Sequence, residues 1–170
     1  MTAQSDAGAN TGTPTTDISS PEQPGWARAA IAEMEIRQLA NWYAHYMWTE
    51  DVDGYVSLFT DDAEIKQSSQ QEDLYRVTAG REAIRTMIAE SFALRKPKTL
   101  THSHIVNLIS ETEATGSSYV QALDGANSYS DLLIARYDDQ YVLQGGAWKF
   151  RVRHANIMKL TAGLKQALSQ

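Results

Sequence analysis

A chain of 170 residues can bury one substantial hydrophobic core, and two would be cramped. Its net charge of −6, spread over interspersed acidic and basic residues, leaves no basic stripe for nucleic acid and repels anions mildly. The absence of cysteine excludes disulfides, thiolate nucleophiles and Cys-ligated metals.

Residues 1–24 are rich in Ser, Thr, Ala, Gly and Pro and hold almost nothing that can be buried, which predicts a disordered tail ahead of one domain over 25–170. The tail lacks the basic and apolar regions of a secretory signal and the arginines of a transit peptide, and no apolar run reaches membrane-spanning length. A cytoplasmic protein with no membrane association is therefore expected. A helix over about 26–48 follows, with Ile36, Leu39, Ala40, Tyr43 and Met47 on one apolar stripe. Asp51 has the position of an N-cap for a short helix carrying Val52, Tyr55, Val56 and Phe59. Asp61 and Asp62 turn the chain into strands over Ala63–Gln67 and Leu74–Thr78. Gly80 precedes a third helix, about 81–95, which Pro97 ends.

Beyond Pro97 the pattern is that of antiparallel sheet. A strand reaching Ile109 is followed by Gly116–Leu123, Tyr129–Leu143 and, after a Gly145-Gly146 turn, Trp148–His154. In the last of these, Trp148, Phe150, Val152 and His154 alternate with Lys149, Arg151 and Arg153, placing the first set inward. Met158–Leu168 suits a short terminal helix. Helices first and long consecutive strands afterwards predict an α+β domain with helices packed on one face of a curved antiparallel sheet.

The segment Thr101–Asn107 carries the most pointed chemistry. His102 and His104 lie two residues apart in a strand, which puts both imidazoles on one face, and histidine moves protons near neutral pH. Two such residues do not make a metal site, and no third ligand stands at motif spacing, so no metal is expected.

The run Leu58-Phe59-Thr60-Asp61-Asp62-Ala63-Glu64-Ile65 resembles the helix-to-strand signature of SnoaL-like proteins in the nuclear transport factor 2-like superfamily. So do Gly80-Arg81-Glu82-Ala83-Ile84, the His-rich strand and Gly146-Ala147-Trp148-Lys149-Phe150, in the same order over about residues 30–155. The resemblance implies a cone-shaped fold, three N-terminal helices on a strongly curved, mainly antiparallel sheet enclosing an apolar pocket. Relatives include scytalone dehydratase, ketosteroid isomerase and polyketide cyclases, many of them cofactor-independent acid–base catalysts, as well as members with no catalysis. It also implies a homodimer or homotrimer joined through the outer sheet face.

Carried over by position, the resemblance puts Trp48 where the dehydratase holds a catalytic Asp and Gln67 where the isomerase holds its base. Neither side chain can accept a proton. Tyr43 falls at the isomerase's oxyanion-binding tyrosine, and Ala135 and Tyr137 at pocket-lining positions of the dehydratase. Anchored on Asn107, the family's pocket histidine aligns with Ser103 and its neighbour with His104. If Ser103 faces inward, Ile105 and Asn107 follow it; if His104 does, Val106 and Leu108 follow. The second choice gives the more apolar inner face and is the expectation.

The candidate acid–base set is thus His104, with His45 replacing the missing acidic partner beside Trp48, Tyr43 stabilising a charged oxygen, and Asp124 at the pocket rim. Each has a plainer role open to it: a surface histidine for His104 and His45, and turn chemistry for Asp124-Gly125. His154 reads as a core-edge residue. Trp48, Gln67, Ser103, Asn107, Tyr119 and Tyr137 are candidate substrate contacts, since tyrosines set hydroxyls among apolar walls.

Three functions fit this pattern. The first is a cofactor-independent lyase or isomerase eliminating water or a small fragment such as formaldehyde from a hydrophobic, aromatic or polycyclic molecule. The second is a non-catalytic binding or association module. The third is the structural small subunit of an oxygenase.

Overall fold

The computed structural model describes residues 25–69 and 73–161. The predicted stripe of Ile36, Leu39, Ala40, Tyr43 and Met47 is buried along helix α1 (Gly25–Thr49). Asp51 then caps α2 (Val52–Ser57), its carboxylate accepting from the Gly54 amide at 2.8 Å. A Cβ at Gly54 would lie 2.4 Å from the Tyr46 ring, so only glycine lets α2 pack this closely on α1. Phe59, expected on that helix, instead begins strand β1 (Phe59–Ser69) and is fully buried there.

Strand β2 (Leu74–Ala79) leads into α3 (Arg81–Leu94), whose Ile84, Ile88 and Phe92 face the core. The chain continues as β3 (Pro97–Leu108), β4 (Glu113–Asp124), β5 (Ser130–Gln144) and β6 (Ala147–Leu160). The six strands form one sheet in the order β2-β1-β6-β5-β4-β3, with β1 parallel to β6 and every other pair antiparallel. Helices cover one face of this curved sheet, the α+β cone that the sequence predicts. The expected terminal helix begins as strand instead: Leu160 pairs with Leu133, so β6 continues through Met158. The rest of that segment and the predicted tail over 1–24 lie outside the described residues. No helix among the described residues is long and apolar enough to cross a membrane.

Two irregularities overturn the expected side-chain alternation. In β3 the pairing moves from His102↔Tyr119 to Ile105↔Ser117, one residue more on β3 than on β4. Ser103 absorbs it at φ 51°, in the left-handed region. Thr99 faces inward before this bulge and His104, Val106 and Leu108 face inward after it, while His102, Ser103, Ile105 and Asn107 are exposed. His102 and His104 therefore do not share a face. In β6 the pairing with β5 slips between Phe150 and Val152. Trp148 and Phe150 are buried before that slip and Arg153, Ala155 and Ile157 after it. His154, expected inward, meets Ser68 Oγ at 2.8 Å instead, and Arg153 takes the inward position.

The bulge gives a direct test. A β-branched side chain is strongly disfavoured at positive φ, so Ser103→Val should lower stability by about 1–2 kcal/mol in urea unfolding.

Candidate functional site

The concave face encloses a cavity of about 610 Å³, lined mostly by apolar residues from α1, α3 and the sheet. Tyr43 enters it from α1, Tyr55 from α2, Tyr137 from β5 and Arg153 from β6. Burial in this apolar setting, followed by the neighbouring Tyr43, holds the Tyr55 and Tyr137 hydroxyls well above the usual tyrosine range. They stay protonated and act as donors; Tyr55 donates to the Tyr43 hydroxyl at 3.4 Å.

Arg153, only 3% exposed, is the deeply buried charge of this site, whose lining also includes Arg76, Glu90 and Arg95. Burying a guanidinium is costly unless a counter-ion meets it in good geometry. Asp139, on the inward row of β5, does so as a fork: Nε donates to Oδ1 at 2.9 Å and Nη2 to Oδ2 at 2.8 Å. Desolvation pulls the Arg153 pKa down, but Asp139 more than offsets it and holds it well above the ordinary value. The guanidinium carbon lies 4.0 Å from the ring centres of Tyr43 and Phe150 and 4.4 Å from that of Tyr137. Nη1 is buried and has no hydrogen-bond partner among the described residues, and neither has Thr99 Oγ1; both residues line the cavity.

A family model described as the SnoaL-like domain matches residues 28–154. The chain belongs to the SnoaL-like family. Solved structures agree on the fold. A Mycobacterium tuberculosis protein of unknown function superposes with a TM-score of 0.71 at 21% identity, over 86% of this chain and 81% of that one. A provisionally assigned scytalone dehydratase from Novosphingobium aromaticivorans gives 0.69 at 21%, over 80% and 90%. The beta subunit of a provisionally assigned aromatic-ring-hydroxylating dioxygenase from the same organism gives 0.66 at 13%, over 78% and 93%. No curated protein matches the chain in sequence.

Against this SnoaL-like frame the candidate residues separate clearly. Tyr43, Gln67 and Tyr137 line the cavity. His104 does not. It sits behind the ion pair, its Nε2 3.0 Å from the Tyr141 hydroxyl, which donates to Asp139 Oδ2 at 2.9 Å. His45 is exposed and packs its ring edge-on against Trp42 and Tyr46, so it cannot pair with His104. Trp48 is 42% exposed, stacks on Tyr129 and donates from its indole to the Thr99 carbonyl. Tyr119 points outward from β4 and is 48% exposed, while Ser103 and Asn107 are exposed on β3. Asp124 is buried in an ion pair with Arg95 and accepts from the Ala126 amide, the turn role open to it from sequence. Among the described residues no group of three or more His, Asp or Glu is placed to hold a metal ion.

Asp139 and Arg153 were not singled out by the sequence. Asp139 was accessible in principle, since it shares period-two parity with Ala135 and Tyr137. Arg153 was hidden by the slip in β6, which no glycine or proline marks.

Asp139→Ala should cost about 3–5 kcal/mol in denaturant unfolding because it strands a buried cation, whereas Asp139→Leu with Arg153→Met should recover most of that loss. A second expectation concerns pH. Burial holds His104 below its ordinary value of 6.5, so between its folded midpoint and about 6.5 the unfolded chain binds more protons. The contribution of neutral His104 is complete above that window and is lost as pH falls through it. His104→Gln should flatten this part of a stability-against-pH curve.

Proposed function

We propose that this SnoaL-like protein binds a hydrophobic, ring-bearing small molecule in the cone cavity and acts on it as a cofactor-independent lyase or isomerase. The reading is carried by Arg153 Nη1, a buried donor without a partner, set among apolar walls and tyrosine hydroxyls. Because Asp139 already compensates the guanidinium, the pair as a whole is neutral. It suits a carbonyl or hydroxyl oxygen on which negative charge develops during reaction.

In such a reaction a proton leaves the carbon beside a ligand carbonyl and the electron pair moves onto oxygen, where Arg153 and the tyrosines hold it. Return of the pair with protonation at another carbon isomerises the molecule. Expulsion of a β-hydroxyl, protonated as it leaves, dehydrates it. Where the base takes the proton of a β-hydroxymethyl group instead, the carbon–carbon bond breaks, its electron pair passes onto the carbonyl oxygen as formaldehyde leaves, and the enolate regains the proton at carbon. Glu90 is the carboxylate among the cavity's lining residues, on an exposed part of α3, and would accept the proton. The likeness in fold to a provisionally assigned scytalone dehydratase supports the same class of chemistry.

A second reading is passive binding, favoured because no imidazole lines the cavity. Likeness to a dioxygenase beta subunit favours a structural role beside a partner chain. Leu100, Ile105 and Tyr119, exposed on the outer face of β3 and β4, support self-association there as a homodimer or homotrimer.

The discriminating measurement is exchange of the protons next to a bicyclic ketone such as tetralone in heavy water, followed by NMR. Wild type should bind tetralone and accelerate exchange. Tyr137→Phe should weaken binding roughly tenfold, about 1.4 kcal/mol, and slow exchange further. Binding without exchange would replace the enzyme by the passive reading; no binding at all would sink both.

A further inference from the structure

Four side chains from three strands form a continuous hydrogen-bonded path from the half-buried His104 to the cavity. His104 Nε2 lies 3.0 Å from Tyr141 Oη, Tyr141 donates to Asp139 Oδ2 at 2.9 Å, and the same Oδ2 receives Arg153 Nη2 at 2.8 Å. The direction of this path follows from the chemistry of its members. A carboxylate only accepts, so the single Tyr141 proton goes to Asp139, and His104 must donate from Nε2 to the Tyr141 oxygen. Burial and then Asp139 raise the Tyr141 pKa far above the ordinary tyrosine value, which keeps that proton in place.

The path is held from below by β4. A Cβ at Gly116 would lie 2.7 Å from the Ile105 carbonyl oxygen, 3.0 Å from the Tyr141 ring and 3.2 Å from its hydroxyl, so glycine lets β3 and this tyrosine both approach closely. Charged groups face His104 from three other elements. Arg37 of α1, itself paired with Glu33, donates to the His104 carbonyl at 2.6 Å. Asp139 faces it from β5 and Arg153 from β6; Asp139 favours a proton on the imidazole, and Arg37 and Arg153 oppose one. The inward residues of β4 alongside, Ala114, Gly116 and Ser118, are uncharged.

We propose that His104 is a positioning residue for Arg153, acting through Tyr141 and Asp139, so that its protonation alters how firmly Arg153 holds a ligand oxygen. This rests on the reading of the cone cavity as a ligand site. An imidazolium at one end draws Tyr141 and Oδ2 together and loosens the Oδ2 bond to Nη2. The guanidinium is then less fully compensated and holds negative charge on a ligand more strongly. By linkage, a ligand that brings negative charge to Arg153 makes His104 easier to protonate.

NMR tests the path without any ligand. The His104 ring and the Arg153 Nε–H resonance should titrate together in the wild type. In Tyr141→Phe, His104 should still titrate and Arg153 should no longer follow it. An Arg153 resonance that ignores the wild-type His104 titration, or one that still follows in Tyr141→Phe, overturns the proposal.

The ligand arm uses 1-naphthoate. Its affinity should rise roughly fivefold as His104 protonates, and this rise should vanish in both His104→Gln and Tyr141→Phe. A rise that survives in either variant overturns the coupling to the site. Failure of naphthoate to bind at any pH overturns the ligand half of the proposal, even where the two resonances move together; failure of tetralone to bind as well overturns the cavity reading on which it rests.

Discussion

The buried pair of Asp139 and Arg153 is the constraint around which the concave side of this protein is arranged. Neither ion can enter an apolar core alone, and their fork is completed only if β5 and β6 present them to each other at the same level of the sheet. The slip in β6 is what satisfies this requirement, because it turns Arg153 inward while Trp148 and Phe150 stay buried ahead of it. Tyr43, Tyr137 and Phe150 then close around the guanidinium with their ring faces, an arrangement that keeps water from the ion pair.

The chemistry of the cavity follows from the same pair. Protonated tyrosines and a compensated guanidinium make an environment rich in donors and poor in bases, the reverse of a site built on a histidine and a carboxylate. In the proposed function such a site gains most from an oxygen whose negative charge grows as bonds change, since donors fixed in advance need not reorganise. Trp48, at a position where the resemblance puts an acid in the dehydratase, has been turned to structural use. Its indole ties α1 to the Thr99 carbonyl on β3 and lies outside the cavity.

Strain is placed where it changes what faces the core. Ser103 stands at positive φ in an edge strand, where the unpaired side leaves room for an extra residue. The consequence is that His104 reaches Tyr141, while His102 stays with Tyr119 on the outer face. One backbone irregularity thus separates two histidines that a regular strand would have kept together.

The helical stripe of α1, the Asp51 cap, the core face of α3 and the succession of strands after Pro97 were all legible in the sequence. Each depends on local periodicity or a local hydrogen bond. The ordered SnoaL-like motifs were legible too, and with them the cone; Tyr43, expected to stabilise a charged oxygen, and Gln67 and Tyr137, expected to contact substrate, do line its cavity. His104, Val106 and Leu108 face inward as expected; what the sequence could not determine was that a bulge at Ser103 turns His102 away from them, or which residues of β6 face inward beyond Phe150. A single extra residue in a strand inverts the parity of everything beyond it, and its position is chosen by pairing with strands distant in the chain. The local pattern therefore determined the elements, and tertiary pairing decided that Arg153, and neither His104 nor His154, reaches the cavity.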